Sequence, residues 1–82
     1  MRVVKEIPHP AFRTTLFQWN NKYIIKLETG TMEQTFKIDQ YEFTSDEEVL
    51  QLLDDQFLQQ AMNRFEQMSL DVKEAMKRTQ GT

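Results

Sequence analysis

The chain contains no cysteine. That excludes a disulfide framework, a thiolate zinc site and a thiol nucleophile. Small secreted domains commonly need such staples, so the absence favours a reducing, intracellular setting. Glycine is nearly as scarce: Gly30 and Gly81 are the only two, too few for a phosphate-cradling loop. The single histidine, His9, lies between Pro8 and Pro10 and reads as an exposed residue of a rigid connector. A lone His cannot form the usual zinc set without carboxylates gathered from elsewhere. No apolar run approaches the ~20 residues of a membrane span. Met1-Arg2-Val3-Val4-Lys5-Glu6 is too short in apolar length for a signal peptide. The cytoplasm is the expected location, with no membrane partner.

Basic surface is also missing. The net charge is −3, and it is unevenly spread. Residues 1–43 carry six Lys/Arg against five Asp/Glu, whereas residues 44–82 carry four against eight. Nucleic acids recruit positive surface, so they are disfavoured as partners. Asp46, Glu47 and Glu48 sit where a helix would begin, and carboxylates there oppose the positive end of its dipole without needing a ligand.

What is present is a change of period at Thr44–Ser45. Before it, apolar and polar residues alternate, as in Tyr23-Ile24-Ile25-Lys26-Leu27-Glu28. After it, apolar residues recur every three or four positions: Leu50, Leu53, Phe57, Ala61, Phe65, Met68, Val72, Met76. The first pattern is that of strands and the second that of a helix. The reading is a single α+β domain over residues 1–82. A three- to four-stranded antiparallel meander (residues 2–39) is followed by a helical arm (residues 45–78), one long helix or two.

Details follow from turn and cap chemistry. Residues 2–7 form a first strand, with Val3, Lys5 and Ile7 on one side. Residues 12–19 form a second, and Asn20-Asn21 makes a two-residue hairpin turn, since asparagine tolerates positive φ. Counting outward pairs Trp19 with Lys22, Phe17 with Ile24 and Arg13 with Glu28. A second hairpin turns near Thr29-Gly30-Thr31, Gly30 supplying a permissive φ. Closure at Thr29-Gly30 sets Lys26 beside Glu33, whereas closure at Gly30-Thr31 sets Ile25 beside Phe36 and Glu28 beside Glu33. Charge favours the first. Both registers leave Phe12, Leu16, Tyr23, Ile25, Leu27, Met32, Phe36 and Ile38 on one face, the seat for the helix. The other face holds Phe17, Trp19 and Ile24 among polar residues. Ser45 and Glu48 match a capping box, and the helical pattern runs unbroken to Met68. Ser69-Leu70-Asp71 is a second possible cap, Asp54-Asp55 falls mid-helix, and residues 80–82 read as a frayed tail.

Lengths then disagree. A helix from Ser45 to Met68 spans about 36 Å, whereas strands of this length span about 20–24 Å. The sheet covers the helix to the neighbourhood of Ala61, yet the apolar stripe continues. Either the last segment folds back over Phe17, Trp19 and Ile24, or the arm projects and pairs with another copy or with a different protein. The expected function is a non-enzymatic interaction domain, a homodimer or adaptor without a cofactor. Its contacts are Phe65, Met68, Val72 and Met76, with Phe17, Trp19 and Ile24 as a second patch. The alternative is a module binding single-stranded nucleic acid or a small apolar ligand around Trp19, as sheet aromatics do. No catalytic or metal-binding residue is assigned.

Overall fold

The computed structural model describes residues 1–80. Strands β1 (Arg2–Pro8), β2 (Arg13–Trp19), β3 (Lys22–Glu28) and β4 (Glu33–Asp39) form one antiparallel sheet in the order β1-β2-β3-β4. A 3-10 turn (Gln40–Glu42) leads to a short helix, α1 (Asp46–Leu50), and a long one, α2 (Asp55–Gln80). The class is α+β, with helices on one sheet face.

The first hairpin has the expected register, from Trp19 opposite Lys22 to Arg13 opposite Glu28. Asn20 and Asn21 have φ of 56° and 64°, the left-handed pair that a tight hairpin turn requires. The second hairpin takes the other register: Ile25 pairs with Phe36, and Glu28 with Glu33. The like charges are relieved diagonally, because Lys26 Nζ lies 4.0 Å from Glu28 and 3.7 Å from Glu33. Gly30 does not use positive φ. Instead the Met32 amide donates to the Thr29 hydroxyl at 3.1 Å, closing the turn.

Strand β1 pairs at the edge of the sheet, with a bulge between Val3 and Lys5. The bulge undoes the expected grouping of Val3 with Ile7. Val3 stands opposite Phe17 on the far face, while Val4 and Ile7 pack against the core. A bulge adds one residue to one strand and so reverses the side-chain phase beyond it.

The core joins Phe12, Leu16, Tyr23, Ile25 and Leu27 of the sheet side to Val49, Leu53, Ala61 and Phe65 of the helices. The helical segment breaks at residues 51–54, not at Ser69. Backbone bonds Leu52 N–H to Val49 O and Leu53 N–H to Leu50 O tighten the end of α1. Asp54 then starts α2, its carboxylate accepting from the Phe57 amide at 2.8 Å. Asp54 is therefore a cap and not a mid-helix residue, and Ser69 lies inside an unbroken helix. At α1, Ser45 Oγ accepts from the Glu48 amide. The Glu48 carboxylate does not return to Ser45 but accepts from the Thr44 hydroxyl at 2.6 Å and the Thr44 amide at 3.2 Å. Of the anticipated tail, Gln80 belongs to α2, and Gly81 and Thr82 lie outside the described residues.

Candidate interaction surfaces

Helix α2 has 26 residues, about 39 Å at the usual rise. The strands have seven residues each, about 23 Å. Side-chain contacts mark the helix's path across the sheet. Phe57 meets Phe36 at 5.4 Å between ring centroids. One turn on, Gln34 Nε2 donates to the Ala61 carbonyl at 2.9 Å, and Arg64 Nε donates to Gln34 Oε1 at 2.8 Å. Phe65 then meets Phe12 at 5.6 Å, where the sheet ends at the β1–β2 connector and the Thr29–Met32 turn. From there α2 continues past the sheet.

The stripe divides at that point. Phe65 is buried in the core, and Met68 is half-buried against it. Val72 and Met76 carry the same face onward at 56% and 48% exposure, so none of the described residues covers this face. The tail does not fold back over Trp19. At the root of this overhang lies a shallow apolar depression bordered by Phe12, Met32, Met62, Phe65, Glu66 and Ser69. Neither this depression nor Gln34's tether was legible beforehand, since both depend on where the sheet ends beneath the helix.

The second patch is more mixed. Ile24 is buried, Phe17 half-buried and Trp19 52% exposed. Met1, Lys26, Glu33, Thr35 and Lys37 complete the same open depression. Thr15, on this face, is also buried, so the centre is drier than its polar sequence suggests.

No family model, curated protein or solved structure matches this chain.

His9, Tyr23, Asp46 and Glu48 each have local partners. His9 is half-buried, stacked on Phe12 at 4.2 Å, and its Nδ1 accepts from the Ala11 amide. It thus braces the connector and is less exposed than its position between prolines suggested. The Tyr23 hydroxyl donates to Asp46 at 2.6 Å, and Arg2 reaches the other carboxylate oxygen at 3.4 Å. The Tyr23 bond, then Arg2, holds the Asp46 carboxyl below its ordinary range. The same bond, with burial, raises the Tyr23 phenol. The Thr44 hydroxyl and amide lower Glu48. Among the described residues no group of His, Asp and Glu side chains is placed to hold a metal ion, and no helix is long and apolar enough to cross a membrane.

Proposed function

We propose that this protein is a small, non-enzymatic interaction domain that self-associates through the C-terminal half of α2. The observation that carries the reading is the uncovered continuation of a core stripe: Val72 and Met76 lie on the face that Phe65 buries a few turns earlier. An apolar seam of this kind on an isolated helix is left in water unless a second surface covers it. Met68 and Met76 suit such a contact, because methionine adapts to irregular partners. Phe65 drops out of the expected contact set, being occupied within the chain's own core.

The test is absolute mass in solution over a range of concentrations, with Met76→Asp for comparison. A concentration-dependent dimer that Met76→Asp converts to monomer, with the sheet still folded, is the expected result. A wild-type chain that stays monomeric throughout would remove the reading.

A second reading rests on Trp19, whose half-exposed indole stands beside Phe17 and Lys37. A planar or apolar ligand, or a single strand of nucleic acid, could stack there. Against the nucleic-acid form, Lys26 is already engaged by Glu28 and Glu33. Trp19 fluorescence should shift on adding oligonucleotide and recover with salt; an unchanged spectrum at saturating oligonucleotide removes that form.

A further inference from the structure

The proposed self-association leaves open how two copies align, and the charges along α2 bear on this. Beyond Phe65 the helix reads Glu66 and Asp71 first, then Lys73 with Glu74, then only Lys77 and Arg78. Acid is concentrated at the root of the overhang and base at its tip. Glu66 and Lys77 lie about three turns apart on the same flank of the apolar seam. A parallel pair would set acidic root level with acidic root and basic tip level with basic tip. An antiparallel pair sets each root against the other's tip.

Resting on that reading, we infer that the arm's partner is a second copy of this chain running antiparallel, with Val72 on the two-fold axis. Counting outward from Val72 places Met68 against Met76 of the second copy and brings Glu66 within one residue, about 1.5 Å along the axis, of its Lys77 on the same flank. Flanks on the same side of a two-fold antiparallel pair meet each other, so the Glu66–Lys77 contact forms twice. The same register brings each tip, at Met76 and Thr79, over the depression bordered by Phe12, Met32, Met62 and Phe65. That depression adjoins the half-buried Met68 and Ser69, so it extends the seam across which the tip lies. The occupant's apolar tip and basic flank match an apolar hollow with Glu66 on its rim.

The absence of native cysteine makes the alignment readable by disulfide trapping. Val72→Cys alone should form a disulfide-linked dimer under mild oxidation. Met76→Cys alone should not, whereas a mixture of Met68→Cys and Met76→Cys chains should give the mixed disulfide. Efficient self-linkage of Met76→Cys would overturn the antiparallel arrangement while leaving self-association intact. A dimer in which Val72→Cys fails to link would also overturn the alignment. Val72→Asp, at a position exposed in the single chain, should raise the dimer dissociation constant by roughly thirtyfold or more with the sheet still folded. A wild-type monomer, or a dimer indifferent to Val72→Asp, would overturn both the alignment and the reading beneath it.

Discussion

Thr14 sits on β2 between Ile7 and Leu27, fully buried, and its hydroxyl has no hydrogen-bond partner. A buried hydroxyl without a partner has lost its water for nothing, at a cost of about 1–3 kcal/mol. Thr14→Val keeps the branched shape and removes the oxygen, so it should stabilise the protein by about 1 kcal/mol. Chemical denaturation checks this; a loss of stability would mean the hydroxyl has a partner. Strand parity placed Thr14 on the helix-facing side, as it did Gln34. Their polarity hid them from a reading that searched for apolar residues. Gln34 is accommodated there because α2 brings both an acceptor, the Ala61 carbonyl, and a donor, Arg64. Only the packed structure supplies those two groups. The diagonal reach of Lys26 was hidden for a related reason, since counting direct neighbours overlooks a long side chain spanning to the next pair.

At the scale of elements, the sheet was legible and the helix break was not. Alternation and the Asn20-Asn21 turn define the first hairpin completely. Across the break, Leu50, Leu53 and Phe57 keep spacings of three and four even though the backbone turns between them, so the pattern passes through unchanged. The remaining signal was Asp54 itself, an acid able to cap. Asp54→Ala should cost about 1 kcal/mol by leaving the Phe57 amide without its acceptor, whereas Asp55→Ala, next to it, should cost less. The start of α1 sets a pH dependence. Asp46 and Glu48 both titrate lower in the fold than their ordinary values of 3.8 and 4.5. A lowered carboxylate contributes stability that is present above its unfolded pKa and lost as pH falls through its folded one. Melting temperature should therefore hold steady near neutrality and drop below about pH 4. Asp46→Asn should lower the neutral value and flatten part of the acid drop. A variant with the same acid slope as wild type would exclude Asp46 as a source.

The whole molecule is longer than its chain length requires. Its radius of gyration is 15.3 Å and its longest extent 53 Å, against about 12 Å of radius for a compact domain of this size. The excess comes from α2, whose last turns project beyond the sheet with Leu70, Val72 and Met76 exposed. The length mismatch was visible in the sequence; the choice between folding back and projecting was not, because both bury the stripe and only chain geometry separates them. Projection has a thermodynamic consequence. A helical stretch of this length is marginal in water by itself, since isolated helices below about 12–15 residues rarely persist. Residues 69–80 therefore draw order from the rooted part of α2 and, under the proposed pairing, from the second copy over Val72 and Met76. Amide hydrogen exchange should accordingly be fast in residues 71–80 at high dilution and slow markedly as concentration rises. The sheet and residues 55–68 should stay protected at both extremes. Protection of the tip that is strong and independent of concentration would mean the arm is stable alone, and pairing would then have no part in ordering it.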